Sequence, residues 1–366
     1  MITFTKRHCT PFLFVILGVL VLVACTPSTP EPDNTAPPPL AKSIRLHNWQ
    51  DDIPQEILDQ FTEETGVTVE LITYESQDDA MRNLRNGEVY DVAVLNNEYV
   101  AVAISEGLLS ELDYSILTNF RNISPNFRDL AYDPQNRHSV PYNWGTFGIV
   151  INPEKVTTPI TSWSDLWKDE FKGKLVMWNG IRTSLGITLK TLGYDPNTTN
   201  LEELAQAEAK LMELRPSVLA FVGASADVVP LLATGDGAIA AGYVGDIFAA
   251  QNEGITLNYI LPEEGTLLWG DNFVIPQNSP NTYTAQVFVN FLLRPESAAT
   301  ILEYNFYSSP NEGVAELVAE ELRNDQLIFP PNSVLQNASL LLALPTEIEA
   351  RHNEIWQKFV EGGNSP

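Results

Sequence analysis

Three short stretches of the sequence place an aromatic side chain close to a carboxylate. The three pairs are Trp49 with Asp51, Tyr243 with Asp246, and Trp269 with Asp271. Carboxylates pair with ammonium groups, and the face of an aromatic ring attracts a cation by about 0.5–2 kcal/mol. The pairs therefore have the chemistry to bind a cation. For Asp51 and Asp246 the alternative is that each caps a helix at its own position.

Signatures of catalysis and of metal binding do not stand out in the sequence. The four histidines are far apart. The sequence has two cysteines, Cys9 and Cys25, and only Cys25 is expected to remain in the mature chain. A transition-metal site is therefore not expected. The sequence has no Gly-x-Ser-x-Gly elbow and no phosphate loop, and the Gly-x-Gly at residues 235–237 precedes a predicted strand instead of following one. We therefore expect neither an enzyme nor a cofactor.

Alternating strands and helices must position the aromatic and acidic residues. Strands are predicted at residues 44–46, 67–73, 90–95, 238–243 and 272–275. Helices are predicted at residues 54–65 (ending at Gly66), after the cap Ser76 as far as Gly87, at 183–192, 201–214, 284–293 and 295–304, and after Thr346. This order indicates an α/β fold with parallel layers.

The N-terminus is typical of a bacterial export signal. Lys6 and Arg7 precede an apolar run at residues 12–24, which is short for a hydrocarbon core of about 30 Å but suits a secretory signal. The run ends in Leu-Val-Ala-Cys, which resembles a bacterial lipobox. We expect a signal peptide at residues 1–24 and a lipid on Cys25; an ordinary signal peptide or a retained anchor is the alternative.

A proline-rich stretch follows the predicted lipid. Residues 26–42 contain six prolines, which predicts an extended tether with a rise of about 3.1 Å per residue. Cys9 would be removed with the signal peptide, so Cys25 would be the last cysteine and no intrachain disulfide is expected. The tether, residues 25–42, would hold a folded body at a distance from a lipid surface.

The composition limits the kinds of partner. The 366 residues are 44% hydrophobic, enough for two domains with a buried core and too apolar for disorder throughout. With 47 acidic and 21 basic residues the formal net charge is −26, which disfavours nucleic-acid binding. A cationic partner is compatible with this charge without being required by it. No stretch after Cys25 is apolar for long enough to cross a membrane.

Eleven short motifs occur once each, in a distinctive order, along the chain. The motifs are NWQD at 48–51, FTEETG at 61–66, TYES at 73–76, YDV at 90–92, VPYNWG at 140–145, SWSDLW at 162–167, LGY at 192–194, GYVGD at 242–246, PEEG at 262–265, WGD at 269–271 and NFLLRP at 290–295. In this order and spacing they resemble the spermidine/putrescine-binding proteins of bacterial ABC importers. The resemblance runs from about residue 44 to the C-terminus and is less clear after Pro331.

The resemblance implies a two-lobed periplasmic binding protein fold of type II. Each lobe would be a mixed sheet flanked by helices, and the chain would cross between lobes near Gly148 and Asp271. Residues 43–148 and 271–366 would form the first lobe and residues 149–270 the second. A monomer anchored in the periplasm or on the outer face of the cell membrane would bind a polyamine in the interlobe cleft and deliver it to a membrane permease.

The resemblance also implies a set of ligand-binding residues. These are Trp49, Asp51, Asn96, Tyr243, Asp246, Trp269, Asp271 and Tyr307. Asp271 matches the family's principal amine-binding acid, and Tyr243 stands where the family usually has tryptophan. A polyamine has ammonium groups at fixed spacing on an alkyl chain, so carboxylates at the ends and aromatic faces along the chain suit it.

The sequence departs from the family's pattern at the distal end of the expected site. Gly180 and Thr183 stand where relatives have the acids that anchor the distal amine, and Glu98 stands where spermidine binders have tyrosine. Two alternatives therefore stay open: the same fold binding another small cationic or amino-acid-like solute, and a surface enzyme or adhesion module on this scaffold.

Overall fold

The structure, a computed structural model, describes residues 37–50, 52–223 and 225–362. The predicted signal peptide, the predicted lipid attachment at Cys25, most of the predicted tether, and Asp51 lie outside the described residues. The elements given below belong to one compact unit that begins at Leu40.

The described residues form a mixed α/β fold. The strands are β1 (Ser43–Trp49), β2 (Thr68–Tyr74), β3 (Val92–Asn96), β4 (Ser139–Ile151), β5 (Leu175–Trp178), β6 (Val218–Val222), β7 (Ile239–Tyr243), β8 (Asn258–Ile260), β9 (Leu267–Val274) and β10 (Ser339–Leu340). The helices are α1 (Gln55–Thr65), α2 (Gln77–Arg85), α3 (Asn97–Ser105), α4 (Ile181–Thr191), α5 (Leu201–Leu214), α6 (Ser225–Thr234), α7 (Gly245–Asn252), α8 (Thr282–Leu292), α9 (Pro295–Asn305), α10 (Glu320–Arg323), α11 (Asn332–Asn337) and α12 (Thr346–Glu361).

A single sheet runs through the fold in the order β2-β1-β3-β9-β4-β7-β5-β6, with β8 paired to β4 and β10 to β9. The predicted parallel layers are present at both ends of this sheet, where β1 pairs with β2 and β3, and β5 with β6 and β7. The centre is antiparallel, because β9 runs against β3 and β4, and β4 runs against β7.

Local sequence signals set the ends of the first helices. Gly66 ends α1 with a positive φ of 75°, and Ser76 caps α2 by accepting a hydrogen bond from the backbone N–H of Asp79. The buried face of α1 carries Ile57, Leu58 and Phe61 as predicted. The ring of Phe61 packs edge-on against Phe288 of α8 at 4.8 Å. Burial of each such apolar side chain contributes about 1.5–3 kcal/mol.

The long central strand β4 was not predicted from the sequence. Its 13 residues include Pro141 and two glycines, which lower local strand propensity, and the register with β9 shifts after Pro141. Gly148 is needed because a Cβ there would lie 2.7 Å from the carbonyl oxygen of Ile260. The conformation of β4 is therefore determined by the strands on both sides of it.

Strand β9 is longer than predicted. It begins at Leu267 instead of Asn272, so Asp271 lies inside the strand and not in the turn before it. The predicted crossings near Gly148 and Asp271 thus fall on β4 and β9, the adjacent strands at the centre of the sheet. The lobe boundaries themselves stay a prediction.

The C-terminal helix α12 packs on α4 and α5. Ile348, Ile355 and Phe359 are buried in the same apolar core as the inner faces of those two helices. The sequence assigned residues 271–366 to the first lobe, whereas this helix lies against elements of the predicted second lobe. None of the described helices is long and apolar enough to cross a membrane.

Candidate functional site

Three of the predicted site residues lie where strands end. Trp49 is the last residue of β1, Asn96 of β3 and Tyr243 of β7. Asp271 of β9 pairs directly with Asn96 on one side and with Asn143 of β4 on the other. Ligands of open α/β sheets bind outside the carboxyl ends of strands, which is where these residues gather.

Asp271 is a buried carboxylate at the centre of this region, with 6% of its surface exposed. Burial raises its pKa well above the ordinary value, and the nearby charge of Asp52 raises the pKa further, while a hydrogen bond with the Trp49 side chain lowers it. An ionised carboxylate in such a place needs a cationic partner to offset its lost hydration.

Asp52 is a second buried carboxylate, and the sequence analysis did not identify it. Its Oδ2 accepts a hydrogen bond from Asn48 Nδ2 at 2.9 Å, and its Oδ1 accepts from Asn143 Nδ2 at 3.1 Å and Asn305 Nδ2 at 3.3 Å. Its backbone carbonyl accepts from the Tyr142 hydroxyl at 3.1 Å. Burial raises the pKa of Asp52 to about 6, and the side-chain hydrogen bonds oppose that rise.

Asn143 links the two carboxylates and was also missed as a site residue. Its Nδ2 donates to Asp52, and its backbone pairs with Asp271. Its Oδ1 is buried and accepts no hydrogen bond from the described part of the chain. Two carboxylates and an amide oxygen are therefore close neighbours, and an ammonium group has three donors to offer to such acceptors.

Aromatic rings line the region beside these acceptors. The Trp269 ring meets Tyr307 edge-on with centroids 4.7 Å apart, and Tyr243 at 6.0 Å. Tyr243 in turn meets Trp178 edge-on at 4.7 Å. The rings of Trp269, Tyr307, Tyr243 and Trp178 form a continuous surface, which we call the aromatic wall; Trp178 adds to the predicted set.

Two glycines make room for the aromatic wall. A Cβ on Gly145 would lie 2.7 Å from the Trp269 ring, and a Cβ on Gly245 would lie 2.9 Å from the Tyr307 ring. Both distances are shorter than a side chain tolerates, so the backbone of β4 and the start of α7 can approach the rings only as glycine.

Asp246 and Asn96 make local bonds. Oδ2 of the fully buried Asp246 accepts from the backbone N–H of Tyr243 at 3.0 Å, which fixes the turn between β7 and α7. Asn96 caps α3 by accepting from the backbone N–H of Tyr99 at 3.5 Å. The Asp246 bond joins α7 to the residue at the end of β7 and is not a helix cap, because Tyr243 precedes the helix. Ligand contact by Asp246 or Asn96 stays a prediction.

The structure thus brings most of the predicted residues together. Trp269, Tyr243 and Tyr307 form the aromatic wall, and Trp49 and Asn96 adjoin Asp271. Asp51 lies outside the described residues, so its predicted role stays a prediction. Gly180 precedes α4, and Thr183 Oγ1 donates to the Gly180 carbonyl at 3.1 Å, so these two positions bring no negative charge. Among the described residues, no cluster of three or more acidic, histidine or cysteine side chains has a geometry that could hold a metal ion.

The chain is similar to known solute-binding proteins in sequence and in structure. Residues 56–330 match the profile of a family described as bacterial extracellular solute-binding protein. The chain is 36% identical over 325 residues to the spermidine/putrescine-binding periplasmic protein of Salmonella typhimurium, covering 87% of this chain and 92% of that relative. It is 34% identical over 300 residues to the protein of the same name from Escherichia coli, covering 81% and 85% of the two chains.

Among solved structures, a similar one is that of the spermidine/putrescine ABC transporter substrate-binding protein PotD from Streptococcus pneumoniae. The two chains superpose with a TM-score of 0.81 at 33% identity. The match covers 87% of this chain and 99% of the other.

Proposed function

The chain belongs to the family of bacterial extracellular solute-binding proteins, and on that premise we propose that it binds a polyamine, putrescine or spermidine, for an ABC importer. Its fold is the two-lobed α/β fold of the periplasmic binding proteins of type II, as the family resemblance implied. We place the polyamine between the lobes, beside β4 and β9, and the membrane permease as the partner that receives it. The family is a component of transport, so an enzymatic role is not proposed.

The observation that carries this proposal is the buried pair of carboxylates beside the aromatic wall. Asp271 and Asp52 repel each other, and both have raised pKa values because burial removes water from them. An ammonium group bound to Asp271 would offset this cost and donate hydrogen bonds to the surrounding acceptors. The alkyl chain of the ligand would then lie along the rings of Trp269 and Tyr243. Relatives named as spermidine/putrescine-binding proteins support the same ligand class.

A second candidate ligand is a small solute with one cationic end, such as an amino-acid derivative. The neutral residues Gly180 and Thr183 favour it, because one ammonium needs only the Asp271 end of the site. Binding of a monoamine compared with that of a diamine of the same carbon chain separates the two candidates.

Binding of putrescine is expected to depend on pH. A carboxyl with a raised pKa holds its proton to a higher pH, and only the ionised form pairs with an ammonium group. The affinity for putrescine should therefore be highest above the raised pKa of Asp271. It should decline as the pH falls through that pKa and through the pKa of about 6 of Asp52. We expect putrescine to raise the melting temperature clearly at about pH 8 and much less at about pH 5.

Butane-1,4-diol is the matched control for this measurement, because it has the same carbon chain without the charges. It should leave the melting temperature unchanged at both pH values. An equal stabilisation by putrescine at about pH 8 and about pH 5 would contradict the pairing with a carboxyl of raised pKa.

We further propose that the chain acts outside the cytoplasm as a monomer held to a membrane by lipid on Cys25. The lipobox-like sequence at residues 22–25 and the proline-rich stretch after it support this arrangement. Acyl chains bind membranes with about 0.8 kcal/mol per buried CH₂ group. Cys25→Ser should therefore move the protein from the membrane fraction to the soluble fraction. Retention of the variant in membranes after a high-salt wash would indicate an uncleaved anchor instead.

A further inference from the structure

An ion pair joins elements from opposite ends of the sheet next to the candidate site. Nε of Arg182, in the first turn of α4, lies 3.1 Å from Oε1 of Glu98, in the first turn of α3. Helix α3 follows β3 and helix α4 follows β5, and the central strands β9, β4 and β7 separate those two strands. The two side chains are mostly buried, with 21% of Glu98 and 19% of Arg182 exposed.

Arg182 is fixed by neighbours on its own side of the site. Its guanidinium donates to the Pro196 carbonyl at 3.3 Å, to Asn197 Oδ1 at 3.0 Å and to the Leu342 carbonyl at 2.8 Å. A cation in the first turn of a helix is opposed by the helix dipole, so these acceptors are needed to hold it there. Arg182 therefore presents Nε to Glu98 from a fixed position.

Glu98 is connected to the aromatic wall through its ion-pair partner, because Arg182 stands at the start of α4, four residues after Trp178 of that wall. The helix that carries it begins directly after Asn96, which pairs with Asp271. The pKa of the Tyr243 phenol is raised mainly by burial and then by the charge of Glu98, which acts on it more strongly than the charge of Asp271 does. Tyr243 is therefore under the influence of three carboxylates, Glu98, Asp246 and Asp271, and the effect of Glu98 is the largest of them.

The Glu98 carboxylate has capacity for another cation. Its Oε1 accepts from Arg182, whereas Oε2 accepts no hydrogen bond within the described part of the chain. Burial raises the pKa of Glu98, and Arg182 opposes that rise without removing it. A second cationic donor at Oε2 would offset the remaining cost of burying the charge.

We propose that Glu98 is the second ammonium-binding carboxylate of the site and that Arg182 is its positioning residue. This inference rests on the proposed function, in which Asp271 binds the first ammonium group and the aromatic wall contacts the alkyl chain. Glu98 thereby supplies, from the opposite side of the site, the negative charge that Gly180 and Thr183 do not provide. The site accordingly selects a ligand with a cationic group at each end.

The test compares putrescine with butylamine, which has the same carbon chain and only one ammonium group. Glu98→Gln should weaken putrescine about tenfold or more and butylamine less than about threefold, because only the diamine loses a charge partner. Calorimetric titration of both amines into wild type and variant measures the change in preference.

Glu349→Gln is the matched control. Glu349 is an exposed acid of α12 whose charge acts on Glu98, so the variant removes the same charge nearby without removing the proposed contact. We expect it to leave the preference for putrescine unchanged. Glu98→Asp, which retains the carboxylate on a shorter stem, is the second variant and should keep part of the preference even if Glu98→Gln folds poorly.

Two results would overturn the assignment of Glu98: a preference for putrescine that is unchanged in Glu98→Gln, with or without an equal loss of affinity for both amines, or a Glu98→Asp variant with no preference left. Failure of the proposed function has a different signature. In that case the wild-type protein binds neither amine, whereas failure of the Glu98 assignment alone leaves a wild type that binds putrescine through Asp271.

Discussion

Replacement of Asp271 by asparagine is expected to weaken putrescine and spermidine binding by roughly thirtyfold or more. Loss of one partner from a desolvated, hydrogen-bonded charge pair costs about 2–5 kcal/mol, because the other charge stays buried and unpaired. The amide that the substitution introduces has nearly the shape of the carboxylate, so the aromatic wall should keep its packing. Calorimetric titration of Asp271→Asn against wild type measures the loss.

The same substitution is expected to stabilise the unliganded protein. Because the pKa of Asp271 is raised in the folded state, this carboxyl destabilises that state, and the cost shrinks as the pH falls from the raised pKa to the ordinary value of the unfolded chain. Asp271→Asn should therefore raise the free energy of unfolding by about 1 kcal/mol or more at about pH 7.5, and the gain should shrink in acid.

Asp59→Asn is the matched control, because Asp59 lies exposed on α1 and undergoes the same chemical change. It should leave ligand affinity unchanged. A variant Asp271→Asn that binds putrescine as tightly as wild type would remove Asp271 from the site.

Replacement of Asp52 by alanine is expected to lower the free energy of unfolding, whereas Asp271→Asn is expected to raise it. The side chain accepts hydrogen bonds from the buried amides of Asn48 and Asn143, and alanine leaves these two donors without that acceptor. Asn305 would retain its second bond, to the Asp52 backbone carbonyl at 3.0 Å. Each unpaired buried donor costs about 1–3 kcal/mol, and relief of the buried charge offsets part of the sum, so a net loss of about 2–4 kcal/mol is expected.

Urea unfolding of the two variants without ligand measures this contrast. The expected order of stability is Asp271→Asn above wild type and Asp52→Ala below it. An Asp52→Ala protein as stable as wild type would mean that its hydrogen-bonded carboxylate does not stabilise the fold.

Helices with strong local signals could be predicted from the sequence. Helix α5 has the predicted bounds, Leu201–Leu214, because its apolar residues recur at helical spacing and a proline follows shortly after it. The central strand β4 could not be predicted, because its neighbours, and not its own residues, hold Pro141 and Gly145 in an extended conformation. The same dependence on neighbours made β9 longer than predicted.

The candidate site also contains residues that could be predicted from the sequence and residues that could not. Asp271 and Trp269 stand in a short motif that the resemblance identified, so their positions could be read from the sequence. Asp52 and Asn143 could not, because their roles depend on hydrogen bonds between residues 91 positions apart, and between Asp52 and Asn305, 253 positions apart. The available signal was the position of Asp52 in the first strand–helix turn, between the end of β1 at Trp49 and the start of α1 at Gln55.

The central claim is that an ammonium group pairs with the buried carboxyl of Asp271, and proton release on binding tests it most directly. Wild-type protein is titrated calorimetrically with putrescine at a series of values from about pH 5 to about pH 8, each in two buffers that differ in ionisation enthalpy. We expect saturable binding at a single site with a net release of protons that is largest near the raised pKa of Asp271 and declines above it, because the ammonium group lowers that pKa. No proton release anywhere in this range, or no binding at about 1 mM putrescine, would contradict the claim.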